Sequence, residues 1–130
     1  MNSNENFDAL IKEVQLFVNE LTKAVREKNF DAWKAILSDE YFSEASSPAK
    51  LQELSELPGM KNRGIVLKTA QDYFNFVFAP SRANATIDDI EFVRTDKVDI
   101  YTVIKTTSGE KSRMLLYSLG KINNAWKVIS

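Results

Sequence analysis

Apolar residues recur at helical spacing through the first part of the chain, and polar residues fill the positions between them. This pattern predicts a long amphipathic helix. Asn29 is suited to cap a second helix, because its side chain can accept hydrogen bonds from free backbone N–H groups. The apolar positions of the first helix are Phe7, Leu10, Ile11, Val14, Phe17, Val18, Leu21 and Val25, and those of the second are Phe30, Trp33, Ile36 and Leu37.

The spacing of apolar residues is less regular over the next two dozen residues. The segment YFSEASS at 41–47 is compatible with a short strand or a loop. Ser47 and Pro48 predict the start of a third, short helix, since serine suits the cap and proline the first helical position. The sequence Leu-Pro-Gly at 57–59 predicts the end of that helix. A loop is expected at 59–64.

A second apolar cluster precedes Pro80. Residues 65–67 are compatible with a brief strand, and Thr69 is suited to cap a fourth helix. Pro80 is expected to stop that helix, because proline has no backbone N–H to continue the ladder. An aromatic stripe at helical spacing is more often core than pocket lining. The apolar positions of this helix are Ala70, Tyr73, Phe74, Val77 and Phe78.

After residue 84, β-branched and aromatic residues dominate, which is typical of strands. Polar turn pairs at 95–96, 108–109 and 123–124 divide this part into four segments. We therefore predict a four-stranded antiparallel meander. The segments are TIDDIEFVR, KVDIYTVIKTT, KSRMLLYSLGKI and AWKVIS.

Two-residue turns at 108–109 and 123–124 would set the register of the last three strands. Opposite residues of an antiparallel pair share a face, so this register also assigns the faces. For the first strand two alternatives stay open: Ile87 and Val93 point inward, or Ile90 and Phe92 do. The predicted pairs are Val98–Leu119, Ile100–Tyr117, Tyr101–Leu116, Thr102–Leu115, Val103–Met114, Ile104–Arg113, Leu119–Val128 and Lys121–Trp126.

Composition narrows the class of protein. The chain has 130 residues and a net charge of −1, which fits one soluble domain without a basic patch for nucleic acid. We expect a flexible polar head at residues 1–6 and a single domain at 7–130. No apolar run is long enough to span a membrane. Both a cytoplasmic location and export with the signal segment removed are compatible with the sequence.

The chain has no cysteine and no histidine. These absences remove thiolate nucleophiles and the commonest acid–base group, which favours a non-enzymatic role. Asp, Glu, Tyr and Lys remain, so catalysis is not excluded. We also expect no cofactor and no metal. Asp88 and Asp89 are neighbours on a strand and would point to opposite faces, which makes them a poor metal chelate.

Helices followed by a bent sheet, the motif NFDAWKAIL at 29–37 and the final Trp-Lys-Val at 126–128 resemble the nuclear transport factor 2-like superfamily. The resemblance implies an α+β cone, with N-terminal helices packed in the concave face of a bent antiparallel sheet. It also implies a pocket between helices and sheet, and frequent homodimers. It does not imply one activity. The dehydratase type relies on histidines, which this chain lacks, so no catalytic residue is carried over.

Two sets of candidate site residues follow. In the pocket, Arg113 could meet an anionic ligand and Tyr117 could orient it, although Arg113 at a sheet end and Tyr117 in the core are the simpler interpretation. On the outer face of the sheet, apolar side chains suggest a homodimer contact. The pocket candidates are Tyr73, Phe78, Glu91, Thr102, Arg113, Tyr117 and Trp126, and the dimer-face candidates are Tyr101, Val103, Met114, Leu116 and Ile129.

The expected function is a non-enzymatic accessory or interaction domain, or one that binds a small apolar ligand. One alternative is a small-pocket isomerase or lyase that uses a carboxylate and a tyrosine. Another is a purely structural dimerisation module. A carboxylate deep in the pocket would favour the enzyme, and a pocket filled by side chains would favour the structural module.

Overall fold

The computed structural model describes the backbone of residues 3–130 and the side chains of residues 6–130. Helices come first and a four-stranded antiparallel sheet follows, in the order β1-β2-β3-β4, so the chain has the predicted α+β fold. The helices are α1 (Ser3–Arg26), α2 (Phe30–Ile36), α3 (Asp39–Ala45), α4 (Pro48–Ser55), α5 (Pro58–Lys61), α6 (Ala70–Tyr73) and α7 (Ala79–Arg82). The strands are β1 (Asp89–Arg94), β2 (Lys97–Lys105), β3 (Lys111–Ile122) and β4 (Ala125–Val128).

The long first helix forms as predicted and begins earlier than expected. Residues 3–6 belong to α1 instead of a flexible head, and residues 1 and 2 of that expected head lie outside the described residues. Val14 and Leu21 are fully buried on one side of α1, whereas Leu16 on the other side is 66% exposed. The buried side packs α1 against the rest of the core.

The second helix confirms its predicted cap. The Asn29 Oδ1 atom accepts a hydrogen bond from the backbone N–H of Ala32 at 3.2 Å. After the helix, Leu37 forms a parallel bridge with Val128, and the Ser38 N–H donates to the Val128 carbonyl at 2.9 Å. These bonds attach the helical layer to the last strand.

Two short segments differ from the sequence-based expectation. Residues 39–45 form α3 instead of a strand or loop, because the Ser38 hydroxyl caps the Tyr41 N–H at 3.1 Å and acidic residues occupy the first turn. Residues 58–61 form α5 where the end of a helix and a loop were expected, with Pro58 at the first helical position. Residues 65–67 belong to no strand within the described chain.

Pro80 does not stop the fourth predicted helix. A π-helical turn at Phe74–Phe78 joins α6 to α7, and the Ala79 N–H donates to the Phe74 carbonyl five residues earlier. Pro80 has no backbone N–H to donate to the helix. The wider π-helical turn lies directly before it, and Pro80 falls in the first turn of α7, so the chain remains helical to Arg82.

The predicted register is right for half of the sheet and wrong for the other half. Near β4 the pairs Val98–Leu119 and Ile100–Tyr117 form as predicted, as do both pairs across the last turn. A β-bulge after Ile100 then inserts Leu116 as an extra residue. Beyond the bulge the predicted pairs are wrong, and the actual ones are Tyr101–Leu115, Thr102–Met114, Val103–Arg113 and Ile104–Ser112.

The first strand adopts one of the two alternatives that the sequence left open. Ile90 pairs with Ile100 and Phe92 with Val98, so Ile90 and Phe92 share the covered face. A second irregularity lies between Phe92 and Arg94, where Val93 is 49% exposed. Glu91, between the two covered residues, therefore lies on the outer face.

Candidate functional site

The interior between helices and sheet is filled by aromatic side chains. The ring of Trp33 lies 4.7 Å from that of Phe74 and 5.0 Å from that of Phe78, centroid to centroid, and all three side chains are fully buried. The Phe78 ring also lies 5.8 Å from the Tyr117 ring. The space where a deep pocket was expected is thus occupied here by the protein's own side chains.

The expected pocket residues separate into two groups. Five of them are buried, namely Tyr73, Phe78, Thr102, Tyr117 and Trp126. Of these, Tyr73, Phe78 and Tyr117 belong to the aromatic interior. The other two, Glu91 and Arg113, lie on the outer face and bond to each other. The structure therefore does not bring Arg113 to Tyr117, because the bulge at Leu116 turns Arg113 to the opposite face.

Arg113 is the centre of an ionic cluster on the outer face. Its Nη1 atom lies 2.7 Å from Asp89 Oδ2 and 3.3 Å from Glu91 Oε2. Its guanidinium carbon lies 4.1 Å from the centroid of the Tyr101 ring. The hydrogen bond to Asp89 raises the pKa of Arg113 above its usual value. Its positive charge is therefore already compensated by two carboxylates.

The outer face of the sheet is apolar near this cluster. Its apolar residues are only partly those that were predicted for the dimer face. Val103 is 40% exposed, and Leu115, which pairs with Tyr101, is 48% exposed. Met114 shares a face with Thr102 instead, and Leu116 is buried in the bulge.

At the other end of the sheet, Ile129 is half-buried and lies against Gly120. A Cβ atom added to Gly120 would lie 3.1 Å from the Cγ2 atom of Ile129, so glycine leaves room for this side chain on β3.

Arg82 and a group of tyrosines form a cluster that the sequence did not reveal. The Arg82 guanidinium carbon lies 4.1 Å from the Phe78 ring centroid and 5.5 Å from that of Tyr117. The hydroxyl oxygens of Tyr41 and Tyr73 are 3.4 Å apart. Burial raises the pKa of Tyr117 to about 12 and also raises that of Tyr41. Arg82 was missed because Pro80 was expected to end the helix before it.

Asp88 joins the segment before β1 to β2. Its Oδ2 atom accepts hydrogen bonds from the Val103 N–H at 2.6 Å, the Thr86 hydroxyl at 2.8 Å and the Thr102 hydroxyl at 3.2 Å. The bond from Val103 is the main cause that lowers the pKa of Asp88. These bonds connect the segment before β1 to the bulged half of the sheet. They also give the buried Thr102 hydroxyl a hydrogen-bond acceptor.

Several surface clefts accompany these clusters. One of about 640 Å³ lies between α4, α5 and the extended residues 66–68, and its apolar wall includes Leu51, Val66 and Leu67. The Ser55 hydroxyl at this cleft accepts from the Leu67 N–H at 2.8 Å. Within residues 3–130, none of the helices combines the length and apolar character required to cross a bilayer.

Comparison with known proteins gives one informative match. An uncharacterized lipoprotein of Treponema pallidum (strain Nichols) is 32% identical over 127 residues, which are 98% of this chain. The chain spans 64% of the length of that relative. No family model matches the chain. The search of solved structures gave no match either.

Proposed function

We propose that this chain is a non-enzymatic accessory domain that acts through the outer face of its sheet, and that a second copy of the chain binds there. The observation that carries the proposal is the contrast between the two faces. The covered face has an interior filled by Trp33, Phe74 and Phe78, whereas the outer face exposes Val103 and Leu115 at diagonal positions of β2 and β3. A contiguous exposed apolar patch on a sheet often marks a contact surface.

Some charges around this patch would favour a two-fold contact. Lys105 pairs with Lys111 at the hairpin end of the outer face, and Glu91 pairs with Asp99 towards the other end, where Lys97 follows on the same face. A two-fold axis near Tyr101 would place Lys105 and Lys111 of one copy near Glu91 and Asp99 of the other. Such isologous pairing is the commonest form of homo-oligomer, and opposite charges would favour it.

The isomerase or lyase has less support than the accessory domain. Among the side chains that the structure describes, the buried polar ones are Ser38, Thr102 and Ser118, so no Asp or Glu is buried there as a catalytic base. The element order supports membership of the nuclear transport factor 2-like superfamily, which we retain as part of this proposal.

The relative suggests where the domain acts. That relative is described as a lipoprotein, and the similarity covers almost all of this chain. We propose on this basis that the chain is exported and acts at the cell envelope. Fractionation of cells that produce the full-length protein, with an antibody against this domain, tests the location. Recovery from the cytoplasmic fraction alone would contradict it.

Sedimentation velocity at micromolar concentration tests the contact. We expect a dimer for the unmodified chain and a folded monomer for Leu115→Lys, because a lysine would be forced into the centre of the apolar contact. Leu16→Lys is the matched control, since Leu16 is exposed on α1 and outside the patch. A monomeric unmodified chain would contradict the proposal, as would equal dissociation by both variants.

A further inference from the structure

Two arginines stack on aromatic rings in this protein, and their ionic surroundings differ. Arg113 over Tyr101 contacts the carboxylates of Asp89 and Glu91. Arg82 over Phe78 has no carboxylate at ion-pair distance among the side chains of residues 6–130. A cation that lies against apolar rings without a counterion is a place where an anion gains a direct ionic bond.

The orientation of Arg82 is fixed by the protein. Its Nε atom donates to the Leu116 carbonyl at 3.1 Å, and its Nη1 atom donates to the Ser81 hydroxyl at 2.9 Å. These bonds use only some of the N–H groups of a guanidinium, and the rest keep the planar fork that matches a carboxylate. Arg82 is half-buried, so this fork remains reachable from outside.

The groups beside Arg82 are hydrogen-bond donors. The described residues offer no hydrogen-bond partner to the Tyr117 hydroxyl, and the Tyr41 and Tyr73 hydroxyls bond only to each other. The indole N–H of Trp33, in the same aromatic cluster, is buried without an acceptor. Burial holds the pKa of Tyr41 and Tyr117 well above neutrality, so both hydroxyls keep their protons. The Tyr117 hydroxyl can therefore donate to an acceptor from outside the chain.

We propose that Arg82 and the neighbouring tyrosine hydroxyls bind the carboxylate of a small organic acid. A carboxylate matches the guanidinium fork and carries one negative charge for one uncompensated cation. The rings of Phe78 and Tyr117 lie next to each other against the guanidinium, since their centroids are 5.8 Å apart. This site lies where α7 meets β3 and is separate from the Tyr101 patch, so it does not depend on dimerisation.

Isothermal titration and two-dimensional NMR with sodium benzoate and sodium hexanoate test the proposal. Benzamide and hexanamide are neutral analogues of the same shape, and inorganic phosphate tests for unspecific anion binding. We expect at least one carboxylate to bind in the millimolar range or better and to shift resonances near Arg82. Its amide should bind at least about tenfold more weakly, because it carries no negative charge. Phosphate that binds as tightly as the acid would indicate unspecific anion binding and would contradict the assignment to a carboxylate. Equal binding of acid and amide would overturn the proposal, and so would no binding of either acid.

Arg82→Gln should weaken carboxylate binding at least about tenfold. Arg113→Gln is the matched control and should leave it unchanged, because that arginine is already paired. Circular dichroism would show whether the variants are folded. If Arg82→Gln does not fold, Tyr117→Phe can replace it, because this variant removes the hydroxyl donor and keeps the ring. It should weaken the binding of the acid more than the binding of the amide. Unchanged acid binding in the folded variants would contradict the assignment, whatever the oligomeric state.

Discussion

Gly120 on β3 faces Ile129 so closely that a Cβ atom added to the glycine would lie 3.1 Å from Ile129 Cγ2 and 3.3 Å from its Cδ1. The neighbour is a side chain and can move in part, so we expect Gly120→Ala to lower the free energy of unfolding by about 1 kcal/mol. Ile129→Ala should relieve the clash. Urea denaturation of the double mutant should therefore show a smaller loss than the sum of the single losses. Strict additivity would mean that the two residues are not in contact.

Trp126 is expected to anchor the last strand. Its side chain is 6% exposed and belongs to the buried core, with Lys121 Nζ 5.8 Å from the ring centroid. Trp126→Ala should lower the free energy of unfolding by about 3–5 kcal/mol, as removal of a large core aromatic does. Leu16→Ala, at an exposed position of α1, should cost less than about 1 kcal/mol in the same urea titration. A small loss for Trp126→Ala would contradict the packing of β4.

The Arg113 cluster should contribute little to stability despite its short distances. The side chains of Arg113, Asp89 and Glu91 are each close to half exposed, so solvent screens their attraction. Arg113→Gln should therefore change the free energy of unfolding little, and the difference should shrink further at high salt. Chemical denaturation at low and high salt checks both statements. A large loss that does not depend on salt would contradict this prediction.

Asp88 should make the protein sensitive to acid. Its pKa is lowered in the folded chain, mainly by the Val103 N–H, from an unfolded value of about 4. Its contribution is therefore present above that unfolded value and is lost as the pH falls through the folded pKa. Thermal melting from pH 7 to pH 2 should show a decline that is shallower in Asp88→Asn. Because other carboxylates titrate in both proteins, the difference between the two curves isolates Asp88.

The element order could be predicted because local signals were sufficient. Asn29, Ser47 and Thr69 each cap the helix that was predicted to follow them. In each case the side-chain oxygen of the cap accepts a hydrogen bond from the backbone N–H three residues later. The turn at Asn123 and Asn124 likewise fixed the last register, since both residues take the positive φ angles that such a turn requires. These features depend only on neighbours in sequence.

The sequence-based predictions were wrong at two backbone irregularities, a π-helical turn and a β-bulge, each of which adds one residue to an otherwise regular element. The π-helical turn before Pro80 kept Arg82 in a helix beside Tyr117, and the bulge at Leu116 moved Arg113 to the other face. Neither irregularity has a distinctive residue pattern here, because Leu116 and Phe74 are ordinary apolar residues. The candidate anion site depends on the π-helical turn, and the membership of the outer-face patch depends on the bulge. The residues of neither site could therefore be predicted correctly from the sequence.

The extra residue at Leu116 also determines how this strand tolerates changes in length. The tip at 106–110 lies beyond the last ladder pair, so an insertion there would leave every existing pair in place. Deletion of one residue at the bulge would restore continuous alternation. It would keep Leu115 opposite Tyr101 and Met114 opposite Thr102, so both side chains would keep their faces. A relative that lacks this residue would thus display the same outer face on an uninterrupted ladder, whereas loss of a paired residue of β3 would exchange the two faces of the strand beyond it.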